Sequence, residues 1–355
     1  MDSGAAHYPA STTTSPRRFL WLLVVTMLAV LAPAFAVNAV VDPLWYFSGN
    51  QVFPANYAFN ERQSKLNRYL KSPDRYDCLI FGSSRLTLLD ERGFTGYRCF
   101  NFSFSAGRPE EFLAYAEYAR HLGAKPRLVI VGVDWESPSP SASTGSENIP
   151  GYVRNLESAP NVFTTYLSWD ALLLSVRVLS GESPFRRYYT AEFVGAILPD
   201  AGFKPDGAMV GPWKPPTDRL LGVHQALRKV FPSATYLAYV PPIAASTVVK
   251  ATDEAYLEAY TEAMKRISEV YDAFYDFAMP SEITRNEGNS YDGSHYSPAV
   301  NAQLAAVLLA GTETLGFRVD RGSLASYRAH WRVALRGQAQ EAVSARKPAP
   351  GNDGR

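Results

Sequence analysis

Short apolar runs alternate with amphipathic stretches along most of the chain. Five runs have the length and composition of strands: Tyr76–Phe81, Arg98–Phe102, Arg127–Val133, Ala234–Val240 and Ala273–Ala278. Helical spacing and helix-end residues predict helices at Glu61–Leu70, Pro109–His121, Asp253–Val270 and Pro298–Gly311. The run "RLVIVGV" is apolar throughout, which is typical of a parallel strand buried on both faces. Strands that alternate with helices predict an α/β domain with a mostly parallel sheet, covered by helices on both faces.

The alternation of strands and helices sets the domain limits at about residues 76–320. A stem, residues 42–75, precedes this domain, and residues 321–355 form a C-terminal helix and tail that we expect to be disordered from about Arg336. Residues 136–217 interrupt the alternation with Ser/Pro-rich loops and helical pieces such as Trp169–Leu179. We interpret them as an insertion over one edge of the sheet.

The N-terminus carries a membrane signal. Residues 1–18 are polar and predict a disordered cytoplasmic tail, and residues 19–41 form an apolar run of 23 residues, long enough to span a bilayer as a helix. Arg17 and Arg18 on its N-terminal side predict that the tail stays inside and the rest is exported. Ala-Phe-Ala at 34–36 fits a signal-peptide cleavage site, but the apolar run continues past it, which favours a retained anchor. Both interpretations place the domain outside the cytoplasmic membrane.

Composition narrows the function classes. The 355-residue chain is 46% hydrophobic and 19% charged with a net charge of +1, which argues against a nucleic-acid partner. Cys78 and Cys99 fall on two predicted strands, and export permits a disulfide between them. Buried free thiols are favoured at least as much, because bridges within a sheet are geometrically awkward. The sequence has no zinc-binding motif, and we expect neither a metal nor a cofactor.

Polar turns follow several of the predicted strands, at the sheet edge where α/β proteins bind ligands. The first strand ends in Gly-Ser-Ser-Arg at 82–85, and the stretch "YDGSHYSP" at 291–298 follows the last strand. A serine nucleophile needs a base, and the base needs an acceptor that orients it. Asp292 and His295, three residues apart before a helix, supply both for Ser84. Alone, either motif is more often an ordinary turn or helix cap; together they predict a catalytic site.

These motifs resemble the SGNH (GDSL-like) hydrolase superfamily over about residues 76–315. The chain is most similar to the membrane-anchored extracytoplasmic SGNH-like proteins, including those that partner polymer acylation systems such as alginate acetylation and D-alanylation of teichoic acid. The resemblance implies a three-layer, flavodoxin-like α/β fold. It also implies Ser84 as nucleophile, His295 as general base and Asp292 as its orienting group, with Ser83 in place of the usual aspartate of Gly-Asp-Ser.

The second block of the family pattern maps onto Asn101–Gly107. There the backbone N–H of Ala106 or Gly107 would join that of Ser84 in an oxyanion hole, although Ser103 stands where many relatives carry glycine.

The third block departs from the family pattern, because Gly132-Val133-Asp134-Trp135 lacks the asparagine that usually donates to the oxyanion. An ionised aspartate cannot donate such a hydrogen bond. We hypothesise that Asp134 pairs with Arg85 and braces the serine turn; the alternative is that both side chains face solvent independently. Trp135, Trp213 and Tyr296 flank the predicted site, where packing is the favoured role over stacking on a sugar.

The resemblance implies a periplasmic, membrane-tethered serine esterase or O-acyltransferase. Its substrate would be an acylated cell-envelope polysaccharide or another envelope ester, and an integral-membrane acyltransferase is the partner it implies. The missing asparagine favours an alternative, a catalytically inactive accessory protein of an envelope assembly complex. A solute-binding module is a third interpretation, which leaves the Asp-x-x-His pair unexplained.

Overall fold

A computed structural model describes residues 15–52, 56–57, 59–134, 145–183, 185–198 and 218–346. Its helices are α1 Pro16–Val41, α2 Glu61–Leu70, α3 Pro109–His121, α4 Gly151–Arg154, α5 Val162–Tyr166, α6 Trp169–Leu179, α7 Asp218–Val230, α8 Ala245–Ala251, α9 Glu254–Ser268, α10 Glu282–Arg285, α11 Pro298–Ala310 and α12 Leu324–Arg346. Its strands are β1 Asn56–Tyr57, β2 Cys78–Gly82, β3 Cys99–Ser103, β4 Leu128–Gly132, β5 Arg187–Tyr189, β6 Gly195–Ile197, β7 Thr235–Val240, β8 Ala273–Asp276 and β9 Phe317–Arg318.

The central sheet has six strands in the order β3-β2-β4-β7-β8-β9, and all but β9 are parallel. The mostly parallel sheet predicted from the apolar runs is therefore confirmed, with strand ends shifted by one or two residues. Counted from β2, the five parallel strands follow the order 2-1-3-4-5, which is that of flavodoxin-like proteins. The antiparallel edge strand β9 was not predicted, because two residues carry no periodic signal.

Both faces of the sheet are buried, since neighbouring residues on each strand point in opposite directions. On one face, Leu79 and Phe81 of β2 pack into a core with helices α2, α3, α7, α9 and α12. On the other face, Ile80 of β2 and Ile130 of β4 pack against α11. This two-sided burial explains why the strands are apolar throughout.

The two cysteines form a disulfide. Cys78 and Cys99 are the first residues of β2 and β3 and are directly paired across these parallel strands, with their Cα atoms 4.1 Å apart. The alternative of two free thiols is therefore corrected: the strand register brings the two side chains together at the ends of the strands.

Helix α1 is long and apolar enough to cross a membrane, with a mean hydropathy of 2.5 over its most apolar window. It begins at Pro16, so Arg17 and Arg18 lie within its first turn, whereas residues 1–14 of the predicted tail lie outside the described residues. At the other end of the chain, α12 continues to Arg346, so the expected start of disorder near Arg336 is wrong. Residues 347–355 lie outside the described part.

The predicted insertion contributes helices α4–α6 and two short strands. Helix α6 has the predicted bounds. Strands β5 and β6 join β1 of the stem in a small antiparallel sheet that the sequence did not predict. This second sheet carries Arg187, which reaches the turn after β3. The insertion therefore supports the edge of the main sheet where the polar turns gather.

Candidate active site

Ser84 lies just beyond the carboxyl end of β2, two residues after Gly82, the last residue of the strand. It begins a short 3₁₀ turn for which Ser83 is the N-cap, its hydroxyl accepting from the Arg85 N–H at 3.4 Å. Leu86 folds back over the strand ends so closely that a Cβ on Gly82 would come within 2.7 Å of it. A larger residue at Gly82 would displace this turn. The position lies between β2 and β4, where flavodoxin-like sheets bind their ligands.

His295 and Asp292 lie in the loop before α11 and complete a chain of hydrogen bonds to Ser84. Nε2 of His295 is 2.7 Å from the Ser84 hydroxyl, and Nδ1 is 2.6 Å from the Asp292 carboxylate. The second carboxylate oxygen accepts from the backbone N–H groups of Ser294 and His295, at 2.9 and 2.8 Å. The structure thus brings together all three residues that the sequence motifs selected.

The loop is built to keep the Asp292 carboxylate ionised. Burial raises the pKa of Asp292, but the hydrogen bond and electrostatic attraction of the His295 side chain, with the backbone N–H groups of His295 and Ser294, outweigh burial and hold the pKa below its ordinary value of 3.8. A carboxylate fixed on Nδ1 selects the imidazole tautomer whose Nε2 is free to accept a proton. Ser84, facing Nε2, is the group placed to give up that proton.

The ion pair hypothesised between Arg85 and Asp134 is present, with Nη1 and Oδ1 2.9 Å apart and the guanidinium almost fully buried. The same carboxylate oxygen accepts a hydrogen bond from the Ser83 hydroxyl at 2.9 Å. Arg85 also donates through Nε to the hydroxyl of Ser294, at 2.8 Å. Because Ser294 lies between Asp292 and His295 in the sequence, one guanidinium joins the serine turn to the histidine loop.

The turn after β3 lies against the end of β2. The Phe104 N–H donates to the carbonyl of Gly82 at 3.0 Å, and Gly107 packs so close to that carbonyl that a Cβ there would be 2.9 Å from it. The N–H of Gly107 donates to the Phe104 carbonyl at 2.9 Å, so it closes the turn. Ala106 is exposed and adopts a left-handed conformation with φ of 51°. Of the two candidate oxyanion donors in this turn, Ala106 is the one whose N–H forms no hydrogen bond within the described residues.

Asn101 is buried and holds the backbone around the serine turn. Its side-chain amide donates to the carbonyls of Leu86 and Leu89 at 2.9 and 3.0 Å, and its oxygen accepts from Ser103. Both amide hydrogens are therefore used in fixing the segment that follows Ser84. The role that the geometry supports for Asn101 is positioning.

A buried charged cluster supports the Ser105–Ala106 turn from below. The carboxylate of Glu61 accepts from the backbone N–H and the hydroxyl of Ser105, from Tyr189 at 2.7 Å and from Arg187 at 3.3 Å. Burial raises the pKa of Glu61, but Arg187, Lys65 and these donors hold it below its ordinary value. Sequence reasoning missed this cluster, because Glu61 looks like an ordinary first-turn residue and Arg187 lies in the irregular insertion.

Tyr291 stacks on the ring of His295, with ring centroids 5.3 Å apart and an angle of 4° between planes. Its backbone carbonyl accepts from Arg186 at 3.5 Å. Tyr291 begins the "YDGSHYSP" stretch, so its proximity to His295 was a signal available in the sequence. Tyr296, by contrast, is buried in the core beside α11, and Trp135 and Trp213 lie outside the described residues.

Within the described part of the chain, no group of three His, Cys, Asp or Glu side chains is placed to hold a metal ion. His224 is fully buried on α7, and its Nδ1 is 2.5 Å from the hydroxyl of Tyr271. The arrangement around Ser84 has a nucleophile, a base and an oriented carboxylate, which are the groups that acyl transfer requires.

A scan against protein-family models matches no family, and a search of curated proteins finds no match to this chain. A function for the protein must therefore be inferred from its own residues and geometry.

Proposed function

We propose that this protein is a serine esterase or O-acyltransferase of the SGNH type. The observation that carries the proposal is the continuous hydrogen-bonded chain from the Ser84 hydroxyl through His295 to Asp292. A serine hydroxyl 2.7 Å from an imidazole whose other nitrogen is held by a carboxylate is the arrangement that activates serine for attack on carbonyl carbon.

In the proposed reaction, the Ser84 oxygen attacks the carbonyl carbon of an acyl ester while its proton passes to Nε2 of His295. The carbonyl oxygen takes up negative charge, towards which the N–H groups of Ser84 and Ala106 would donate. Collapse of this intermediate breaks the bond to the alcohol, which leaves with the proton from His295. The acyl group stays on Ser84 until water, in an esterase, or a sugar hydroxyl, in a transferase, attacks it and gives its proton to His295. The ester bond to Ser84 then breaks, and the serine oxygen takes the proton back from His295.

The flavodoxin-like strand order and the positions of the three residues on it support the SGNH assignment. Ser84 follows the first parallel strand, and the Asp292-x-x-His295 loop comes after the last one and leads into α11. SGNH proteins keep their nucleophile and Asp-x-x-His in these places. The chain differs from the SGNH pattern at Ser83 and Asp134, but it has the serine, aspartate and histidine of the proposed triad.

Location supports an envelope ester as the substrate. We propose that α1 is a retained single-pass anchor, that Arg17 and Arg18 keep its N-terminus inside, and that the domain lies on the extracytoplasmic side. The Cys78–Cys99 disulfide is typical of such an oxidising compartment. Acylated cell-envelope polysaccharides carry their esters there, and an integral-membrane acyltransferase is the partner expected for an anchored transferase.

The carboxylate of Asp134 favours a second candidate function, that of an inactive accessory protein in an envelope acylation complex. It stands where SGNH enzymes place an asparagine whose side chain donates to the oxyanion. Loss of one such donor costs about 3 kcal/mol of transition-state stabilisation. A loss of that size predicts slow catalysis. If the catalytic rate is negligible, the domain would act only as a structural part of the acylation complex.

Labelling with a fluorophosphonate probe separates the two functions. The full-length protein in detergent micelles should react covalently at Ser84, and Ser84→Ala and His295→Ala should abolish the signal. Ser233→Ala, which changes an exposed serine beyond the opposite edge of the sheet, is the matched control and should label like the wild type. A folded wild-type protein that does not label would favour the accessory function.

A further inference from the structure

Helix α6 carries apolar side chains on two sides, and only one of them is covered by protein. Ala171, Ser175 and Val178 are buried. The opposite arc, at helical spacing, is formed by side chains that are exposed: Trp169 (68%), Leu173 (44%), Val176 (51%) and Leu179 (44%). An exposed apolar stripe of this kind marks an interaction surface.

The buried side of α6 packs against the C-terminal part of α1. The Ser175 hydroxyl donates to the side chain of Asn38 at 2.6 Å, and the Asn38 amide donates to the carbonyl of Tyr166 in α5 at 2.8 Å. Phe35 of α1 stacks on Phe163 of α5, with centroids 5.2 Å apart. Helices α5 and α6 are therefore fixed to one end of α1.

That end of α1 is where the helix would leave a bilayer. A hydrocarbon core of about 30 Å takes about 20 helical residues at 1.5 Å each. Counted from Phe19, the first residue of the apolar run, such a span ends near Asn38. Residues 19–30 of α1 are largely exposed, whereas Asn38 and Val41 are buried against the domain. The contacts between α1 and α6 thus lie at the level where α1 would leave the bilayer on its extracytoplasmic side.

We propose that the exposed stripe of α5 and α6, formed by Phe163, Trp169, Leu173, Val176 and Leu179, lies in the surface of the bilayer that α1 spans. This inference rests on the anchor assigned to α1 under the proposed function, and it is independent of the chemistry of Ser84. Continuity with the lipid-facing surface of α1 selects lipid as the occupant. Trp169 is an aromatic anchor suited to that interface. The two charged residues of α6, Asp170 and Arg177, lie together at one border of the stripe, as in helices that lie in a membrane surface.

Such contact would fix which side of the domain faces the membrane. The chain runs from the end of α6 at Leu179 to Arg186 in seven residues, a distance of at most about 25 Å. Arg186 donates to the carbonyl of Tyr291, whose ring stacks on His295, and the next residue, Arg187, binds Glu61 beneath the Ser105 turn. The candidate active site would therefore be held close to the membrane surface.

Spin labels test the depth of the stripe in the full-length protein, reconstituted in lipid nanodiscs. Because Cys78 and Cys99 are joined, an added cysteine can be labelled alone. The labelled variants are Leu173→Cys and Val176→Cys in the stripe and Leu28→Cys in α1. The control is Val333→Cys, whose residue is equally apolar and 68% exposed but lies on α12. Power saturation with oxygen and with a water-soluble nickel chelate reports whether each label lies in lipid or in water.

The labels at 173 and 176 should be more accessible to oxygen than to the chelate, like that at 28, and the label at 333 should show the reverse. If the label at 28 reports lipid and those at 173 and 176 match 333, the stripe faces water and the inference is wrong. If all four report water, the anchor assignment itself has failed. Labels at 173 and 176 that face water in nanodiscs but are protected in native membranes would identify a protein partner as the occupant, which also overturns the lipid contact.

Discussion

Replacing Asp292 by asparagine tests the catalytic geometry with the smallest change in shape. One carboxylate oxygen accepts the backbone N–H groups of Ser294 and His295, and the other accepts from Nδ1 of His295. An asparagine keeps its carbonyl oxygen for the two backbone bonds. Its NH₂ group then faces Nδ1, where it can only donate, so the imidazole must carry its hydrogen on Nε2.

This change of tautomer removes the acceptor for the Ser84 proton. The same substitution in serine proteases lowers kcat by about 10⁴. We expect a loss of that size here, which corresponds to about 5.4 kcal/mol in the barrier. The free energy of unfolding should fall by only about 1 kcal/mol, because the two backbone hydrogen bonds that shape the loop are kept.

The assay is the second-order rate of fluorophosphonate labelling, with hydrolysis of a p-nitrophenyl ester as a second measure. Urea unfolding of wild type and Asp292→Asn checks that the loop is intact. If Asp292→Asn reacts within about tenfold of wild type while Ser84→Ala is inert, the carboxylate does not orient the base. The mechanism proposed for Ser84 would then be wrong in its central step.

Three further predictions concern Arg85, the disulfide and Glu61. Arg85→Lys should lower the labelling rate by up to about 10²-fold with little loss of stability, because an ammonium cannot hold Asp134 and Ser294 at once; an unchanged rate would exclude Arg85 as a positioning residue. Reduction of the Cys78–Cys99 disulfide, with a sequence separation of 21 residues, should lower the free energy of unfolding by about 3 kcal/mol in urea titrations with dithiothreitol, and coincident curves would contradict this. The folded-state pKa of Glu61 lies below 4.5, so the stability that its carboxylate contributes is complete above that pH and is lost as the pH falls. Glu61→Gln should therefore be less stable than wild type at neutral pH, and its free energy of unfolding should fall less on acidification. Parallel pH profiles of stability for the two proteins would contradict the assignment.

Continuous apolar runs and helix-end residues carried most of the information about the fold. Helices α2, α3 and α6 have the predicted bounds because a capping residue or a proline marks each start. The small sheet of β1, β5 and β6 escaped prediction because its strands have two or three residues and because β1 pairs with β5 across more than a hundred positions. Helix α12 extends beyond its predicted end because only its first half shows an apolar periodicity. In that half, Tyr327 and Trp331 donate hydrogen bonds to the buried carboxylate of Asp276.

Part of the candidate site could likewise be predicted from local motifs, and part could not. Ser84 and His295 could be placed at one sheet edge from the sequence, since parallel strands bring their carboxyl ends together. The support beneath the Ser105 turn could not, because it joins Glu61 of the stem to Arg187 of the insertion, 126 residues apart. No local pattern encodes a contact of that separation, so a buried ion pair of this kind becomes visible only when the chain is folded.

The two departures from the SGNH pattern that we propose for this chain are physically connected. That pattern has an aspartate before the nucleophile and an asparagine in the third block, whereas this chain has Ser83 and Asp134. The structure joins them, since the Ser83 hydroxyl donates to the Asp134 carboxylate at 2.9 Å. The chain thus has a carboxylate at position 134 and none at position 83, and Arg85, 2.9 Å from Asp134, balances its charge. Because the guanidinium neutralises Asp134, the carboxylate opposes a developing oxyanion less than a free one would. Such a site has its nucleophile but one oxyanion donor fewer, so under the proposed function we expect slow chemistry, whether the acyl group goes to water or to a sugar hydroxyl.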